Sequence, residues 1–266
     1  MPTESFQKVF IDVSKKKESD PSVIDLGLIE QEEGSIQDFD GVKLEPKKDD
    51  MVKAYINAKP GSELNLSQEE IDIFNSLNNT EQVEHQFRSM LLNRYRKFRQ
   101  HGLKGIPPYR RGGGVDYHPH EELARKADLA KIIKREAPEF HRHLSEYPKN
   151  KPEGLEESFS WINFEVDGKP TISLVHRMGR LEGDVYVFAE RHYYVGRSHN
   201  CVHGIGGAFP VDEGTVLLYL VRTTTDQVAG FGSSAKRAIG SRIMGGQMAA
   251  NFERARASME PNEKEL

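Results

Sequence analysis

Apolar residues alternate with polar ones at every second position in parts of the second half of the chain, and this period predicts β-strands. The alternating stretches are residues 158–166, 171–178, 185–195 and 215–223. Asp167 and Gly168 follow the first stretch, and this pair suits a tight hairpin turn because both of its central residues need positive φ. The pattern therefore predicts an antiparallel sheet with hairpin connections.

A helical period follows the last of these strands and predicts a long helix over about residues 234–257. Ser241, Gly245 and Ala249 lie four residues apart on it and form a stripe of small side chains. Such a stripe lets a helix approach another surface closely. It favours packing against the concave face of the sheet, and a homodimer contact through the same stripe is the alternative.

Helical patterns also dominate residues 51–150. Ser67 and Glu70 have the spacing of a capping box, which predicts the start of a helix. Residues 80–100 form a long amphipathic pattern, and Gly102 is a natural stop. The predicted fold class is therefore α+β, with N-terminal helices followed by an antiparallel sheet that packs on a long C-terminal helix.

The charge pattern divides the chain further. Residues 1–50 mix charges of both signs with few aromatic residues, so they offer little apolar area to offset the entropy of ordering. We predict that this segment is a tail that is disordered or docks on the body. Residues 51–150 form the helical region and 151–257 the sheet with its helix. These two parts together make one domain, and residues 258–266 are a second tail.

Bulk composition narrows the classes of function. The chain has 266 residues, a net charge of -4 and a pI near 6.2, so it lacks the basic field of a dedicated nucleic-acid binder. Its one cysteine excludes an internal disulfide framework and suits a reducing compartment. No apolar run reaches the roughly 18 residues of a spanning helix, and the first residues do not resemble a secretory signal. We therefore predict a cytoplasmic protein without a membrane span.

Histidine and cysteine residues provide the candidate metal sites. Helices are predicted over residues 118–136 and from Pro138 to Tyr147. His118 and His120 are two residues apart, as are His141 and His143, and on an unbroken helix such residues point about 200° from one another, which argues against a shared ion. His199, Cys201 and His203 share one face if their segment is extended, and two imidazoles with a thiolate can bind zinc. A cysteine nucleophile activated by a neighbouring histidine is a further alternative. An ordinary buried cysteine is the simpler interpretation, and no metal or other cofactor is predicted.

Polar residues lie at the ends of the otherwise apolar strands, where they are costly to bury unless they are paired. They are His176, Arg191, His192 and Arg222. Pairing of an arginine with Glu190 or Asp226 serves the fold alone. The same side chains can instead converge at the mouth of a pocket, where a histidine acts as a general base and an arginine polarises a carbonyl. These four residues are therefore the candidate catalytic residues.

The order of elements, with antiparallel strands after helices and a final helix with small residues, resembles the helix-grip layout of START and Bet v 1-like domains. The resemblance covers about residues 80–257 and is one of layout. Runs 94–114 and 191–231 are also similar to segments of bacterial proteins that have no assigned function. The helix-grip resemblance implies a hydrophobic cavity between the sheet and the last helix. The ligand-binding residues that it implies are Trp161, Phe164, Tyr186, Phe188, Tyr194, Tyr219 and Met248, with Asp226 beside them.

We derive three hypotheses of function from these patterns. The first is a protein that binds an apolar small molecule, such as a lipid or a polyketide-like compound, in the cavity. The second is a small enzyme of the cyclase, hydrolase or dehydratase type, with His176 or His192 as the base. The third is an interaction or assembly protein that uses the charged tail and the small-residue stripe.

Overall fold

The computed structural model of the chain describes residues 20–45, 47–128, 130–166 and 168–225, together with Phe10, Ile11, Val13, Lys17 and Glu253. The helices in these ranges are α1 (Lys48–Ile56), α2 (Gln68–Asn75), α3 (Thr80–His101), α4 (Pro119–Asp128), α5 (Lys131–Glu136) and α6 (Pro138–Glu146). The strands are β1 (Val23–Leu28), β2 (Tyr109–Arg110), β3 (Asp116–Tyr117), β4 (Glu156–Val166), β5 (Lys169–Glu182), β6 (Val185–Val195), β7 (Cys201–Val211) and β8 (Gly214–Thr224).

The large sheet has six strands in the order β1-β4-β5-β6-β7-β8, and every neighbouring pair is antiparallel. The strands β2 and β3 form a separate two-stranded ribbon. The alternating stretches of the sequence lie in β4, β5, β6 and β8, because a two-residue period places one set of side chains on each face of a strand. Val166 and Lys169 pair across the first hairpin, and Gly168 beside them has φ of 69°.

The predicted helix-grip arrangement is wrong. Within residues 20–225, β7 and β8 are the last elements, and the helices that pack on the large sheet precede them. Helix α3 takes the place assigned to a C-terminal helix, because its Phe98 stacks on Tyr193 of β6 with ring centroids 4.0 Å apart. The predicted helix over residues 234–257, with the stripe of Ser241, Gly245 and Ala249, lies outside the described residues apart from Glu253.

Helix α3 covers the sheet because one side of its 22 residues is almost continuously apolar. Its buried residues are Val83, Phe87, Met90, Leu91, Leu92, Arg94, Tyr95 and Phe98. The side chain of Asn79 accepts the backbone N–H of Gln82 and starts the helix, and Gly102 ends it with φ of 61°. None of the helices in the described ranges is both long and apolar enough to cross a membrane.

The two faces of the large sheet carry different sets of side chains. The helical face, which contacts α3, α4 and α6, carries Phe159, Trp161, His176, Arg191 and Tyr193. The opposite face carries Phe164, Arg177, Phe188, Glu190 and His192. On that face Phe10 contacts Phe188, with ring centroids 4.4 Å apart. A register shift between Leu174 and Val175 in the pairing of β5 with β6 lets Tyr194 join Tyr193 on the helical face, because Tyr194 then pairs with Leu174.

Residues 20–45 are part of the fold. They contribute the edge strand β1, and Phe39, Val42 and Leu44 are buried in the main apolar core. The indole Nε1 of Trp161 donates a hydrogen bond of 2.8 Å to the carbonyl of Asp38. The second half of the segment predicted as a tail therefore docks on the body, and it does so through short apolar patches among its charges.

The glycine-rich passage after residue 200 is the strand β7. Its glycines leave room for aromatic rings of the neighbouring strands, because a Cβ on Gly204 would lie 2.2 Å from the hydroxyl of Tyr219. A Cβ on Gly206 would lie 2.6 Å from the ring of Phe188. Glycine at these positions thus reflects close packing inside a sheet rather than a loop.

Candidate functional site

A groove of about 1220 Å³ opens on the surface between the end of β1, helix α3 and the start of β4. Its floor lies over the buried aromatic rings of Tyr95, Tyr147 and Phe159, and Leu28 and Pro148 give it exposed apolar surface. Charged side chains also reach it, and they are Arg96, Arg99, Lys151 and Glu157, with Glu30, Glu32 and Glu33 along one wall. This combination of an apolar surface with a few convergent charges is typical of a site for a small molecule.

The periods of α3 and β4 direct the side chains at the floor of the groove toward the same space. Tyr95 and Arg99 are one helical turn apart on α3, so both project from the same face of that helix. Glu157 and Phe159 are two residues apart on β4, so both project from the helical face of the sheet. The end of α6 then brings Tyr147 over Phe98, with the rings stacked at 5.1 Å.

Arg99 is the central cation of the groove. Its guanidinium lies over the ring of Phe159, with its central carbon 4.7 Å from the ring centroid. One terminal nitrogen donates a hydrogen bond of 2.9 Å to the hydroxyl of Tyr147 and lies 3.7 Å from the carboxylate of Glu157. The other lies 3.3 Å from the carboxylate of Glu32, whose side chain is 87% exposed. Phe159, Tyr147 and Glu157 therefore hold the guanidinium on its buried side, and its other terminal nitrogen faces the open groove.

Glu157 is the acidic group at the base of the groove. One carboxylate oxygen accepts a hydrogen bond of 2.8 Å from the ammonium of Lys151. The other lies 3.0 Å from Nε2 of His176, whose imidazole is fully buried and stacked on Phe159 at 4.3 Å. The histidine thus lies beneath the groove and holds Glu157, while the carboxylate itself faces the groove.

Burial and ion pairing fix the charges of this cluster. Burial lowers the pKa of His176 to about 4 in spite of its hydrogen bond with Glu157, so the imidazole is neutral at neutral pH. Burial opposes ionisation of Glu157, but its hydrogen bonds with His176 and Lys151 lower its pKa to about 2. Burial raises the pKa of Tyr147, so its hydroxyl stays protonated. At neutral pH the base of the groove is therefore an anion flanked by two cations.

A buried arginine lies on the inner side of this cluster. Arg191 is 1% exposed, and its guanidinium donates to the backbone carbonyl of Leu144. Burial lowers the pKa of Arg191 to about 9, which reflects the cost of a cation that has no carboxylate beside it among the described residues. Nδ1 of His176 and Nε2 of His143 are also buried without a hydrogen-bond partner in the described part of the chain.

The structure brings together only part of the predicted catalytic cluster. His176 and Arg191 are cross-strand neighbours on the helical face. His192 lies on the opposite face, where Glu190 accepts hydrogen bonds from it at 3.0 Å and from Arg177 at 2.5 Å. Arg222 is on β8, paired in register with His203. Glu190 therefore contacts Arg177 and His192 rather than Arg191.

The predicted ligand-binding aromatics divide between the two faces of the sheet. Trp161 and Tyr194 are buried on the side of the helices, and Tyr194 lies under the guanidinium of Arg94 at 4.1 Å. The others, Phe164, Tyr186, Phe188 and Tyr219, lie on the opposite face. None of these rings lines the groove. Asp226 and Met248 lie outside the described residues.

His199, Cys201 and His203 do not gather around one point. Nδ1 of His199 lies 2.9 Å from the hydroxyl of Ser198, and Sγ of Cys201 lies 3.8 Å from Nζ of Lys126. Burial raises the pKa of Cys201, so its thiol is protonated at neutral pH. Within the ranges that the structure covers, their donor atoms do not form a set close enough to share an ion.

The residues that sequence reasoning missed are Arg99, Tyr147, Lys151 and Glu157. Arg99 belongs to a run of basic residues on α3 that is typical of a solvated helix face. One sequence signal distinguishes Arg99 from the solvated basic residues of this run. It lies four residues after Tyr95, at the edge of the apolar stripe of α3.

Comparison with protein-family models, with curated proteins and with solved structures gives no match for this chain.

Proposed function

We propose that the protein binds a small organic anion with an apolar body, such as a lipid acid, in the groove between β1 and α3. The observation that carries the proposal is Arg99, which is held by Tyr147 and Glu157 and stacked on Phe159 while one edge of its guanidinium faces the open groove. A planar guanidinium of this kind is suited to a carboxylate or a phosphate. Leu28 and Pro148, which are exposed and line the same groove, are suited to an apolar chain.

Glu32 marks the place of the ligand's anionic group. Its carboxylate lies 3.3 Å from Arg99, but its side chain is 87% exposed, and an ion pair of this kind contributes little. A ligand that also buries apolar surface on Leu28 and Pro148, the exposed apolar residues that line the groove, competes favourably with it. Glu157 does not repel such a ligand strongly, because Lys151 and Arg99 flank its charge.

Binding without chemistry agrees better with this geometry than catalysis by His176. A general base must come within hydrogen-bond reach of the proton that it removes. The imidazole of His176 has no exposed surface, its Nε2 is engaged by Glu157, and Phe159 stacks on its ring. We therefore assign His176 a positioning role and place the ligand on Arg99.

Calorimetric titration of the full chain with octanoate and octyl phosphate tests the proposal, with octanol as the neutral probe of equal chain length. We expect both anions to bind and octanol to bind more weakly. Arg99→Met should weaken octanoate binding by about 10- to 100-fold, the effect of removing a charged hydrogen-bond partner. Glu32→Gln should strengthen it by less than about fivefold, because a competing surface carboxylate is removed.

Arg96→Met is the matched control for this experiment. Arg96 is on the same helix and borders the groove, but its guanidinium donates to the backbone carbonyls of Glu33 and Gly34. Equal losses in the two arginine variants would show a general attraction of anions and would contradict a specific role for Arg99. Absence of binding by both anionic probes to the unmodified chain would overturn the proposal itself.

A further inference from the structure

A second constellation of polar residues lies at the start of helix α4, away from the groove. The sequence there is His118, Pro119, His120 and Glu121, and the helix begins at Pro119. His118 therefore precedes the helix. The angular argument that separates two histidines two positions apart holds only when both are helical, so it does not apply to this pair.

The three side chains converge. One nitrogen from each histidine and one carboxylate oxygen of Glu121 all lie within 4.8 Å of one another. The rings of His118 and His120 stand edge to face, with centroids 5.3 Å apart and planes 78° apart. In the part of the chain that the structure describes, this is the one set of three His, Cys, Asp or Glu side chains with such mutual distances.

The state of the ligands also agrees with a metal site. Nδ1 of His120 is buried and has no hydrogen-bond partner among the described residues. An ion bound through Nδ1 of His120 would supply the partner that this nitrogen lacks among the described residues.

The donor set indicates the class of ion. Two imidazole nitrogens and one carboxylate oxygen suit zinc and neighbouring transition metals rather than calcium or magnesium. His118 and His120 are half-buried and Glu121 is exposed, so an ion can enter from solvent and keep a coordination position for water. Three protein ligands with one open position are typical of zinc sites that activate water or bind a further ligand.

We propose that His118, His120 and Glu121 bind one divalent transition metal ion, of which Zn²⁺ is the first choice. The site shares no residue with the groove, so it stands whether or not the groove binds an organic anion. The two proposals can therefore fail separately.

Calorimetric titration of the tag-free full chain with Zn²⁺, after treatment with a chelator, tests the site. We expect saturable binding of one ion per chain. His118→Gln and His120→Gln should each weaken Zn²⁺ affinity by about 100-fold, since losing a ligand costs at least as much as losing its outer hydrogen-bond partner. Glu121→Gln should weaken it by about tenfold or more. Substitution with Co²⁺ should give visible absorption bands that disappear in the same variants.

Two control variants keep the result specific. His85→Gln changes an exposed histidine on α3, and Cys201→Ser changes the cysteine of the other cluster of candidate ligands. Both should bind Zn²⁺ as the unmodified chain does, and circular dichroism should confirm that every variant is folded. Absence of saturable Zn²⁺ binding by the unmodified chain would overturn the proposal. Unchanged affinity in the His118→Gln and His120→Gln variants would do so as well.

Discussion

Replacing Glu70 by alanine should lower the free energy of unfolding by about 3–5 kcal/mol, because it leaves the buried charge of Arg94 without its counter-ion. Arg94 is 1% exposed and lies 2.5 Å from the carboxylate of Glu70, which is itself buried on α2. Below the guanidinium are the rings of Tyr194 at 4.1 Å and Tyr109 at 5.7 Å. These rings stack with a cation but provide no anion. Urea unfolding followed by circular dichroism measures the change.

Part of this loss comes from the helix start rather than from the ion pair. Glu70 also accepts the backbone N–H of Ser67 at 2.8 Å, which completes the capping box of α2. Loss of a cap costs about 1 kcal/mol, so it does not account for the expected effect by itself. Glu69→Ala, an exposed carboxylate in the same helical turn, is the matched control and should change stability by less than about 0.5 kcal/mol.

The double variant Glu70→Ala with Arg94→Met separates the two contributions. Removing both partners of a buried ion pair is often close to neutral, whereas removing one is strongly destabilising. We therefore expect the double variant to recover most of the stability lost in Glu70→Ala and to keep only the capping loss. A double variant as unstable as Glu70→Ala would show that Arg94 is not the source of the effect.

The parts of the fold that the sequence predicts are those set by local chemistry. Ser67 and Glu70 form the capping box because the side chain of each accepts a hydrogen bond from the backbone N–H of the other, three residues away. Helix α3 and the strands β4, β5, β6 and β8 lie where a period of three to four or of two residues indicates them. Each of these signals is contained within a few neighbouring residues.

The arrangement of these elements depends on contacts that no local pattern records. The sequence offers two amphipathic helices long enough to cover the sheet, the one at residues 80–100 and the one predicted at 234–257. Their apolar stripes do not say which one packs there. In the structure α3 packs there, through the stacking of Phe98 on Tyr193 and the contact of Arg94 with Tyr194. The second contact depends on the register shift between β5 and β6, which brings Tyr194 to the helical face.

The groove was not predictable for a related reason. Arg99 and Glu157 meet because α3 crosses the sheet next to β4, and neither has a sequence context that differs from a solvated charge. His118 and His120 show the opposite case. Their pattern was visible, but a helix was predicted to include both, and the actual start at Pro119 places only one of them in it. A shift of the helix start by one residue reverses the conclusion about a shared metal ion.

Lowering the pH should destabilise the protein through protonation of His176, and this should begin at pH values above the ordinary pKa of a carboxyl group. In the folded state the pKa of His176 is about 4, against an ordinary value of 6.5, so the unfolded chain binds the proton more readily between these limits. The stability from keeping the imidazole neutral is therefore complete above pH 6.5 and is lost as the pH falls through 4. Because each tenfold change in proton affinity corresponds to about 1.4 kcal/mol, the loss from this one group is about 3 kcal/mol.

The variant His176→Gln isolates this contribution, because glutamine retains a donor for Glu157 and does not titrate. Other buried histidines with a lowered pKa, His143, His199 and His203, act in the same direction, so the informative quantity is the difference between two pH profiles. Urea unfolding at several pH values from 7 to 4 should show the unmodified chain losing about 3 kcal/mol more than His176→Gln over this range. The exposed His85→Gln should follow the unmodified chain. If the free energy of unfolding falls equally with pH in the unmodified chain and in His176→Gln, His176 is solvated in the folded state. Its role in positioning Glu157 at the base of the groove would then be refuted as well.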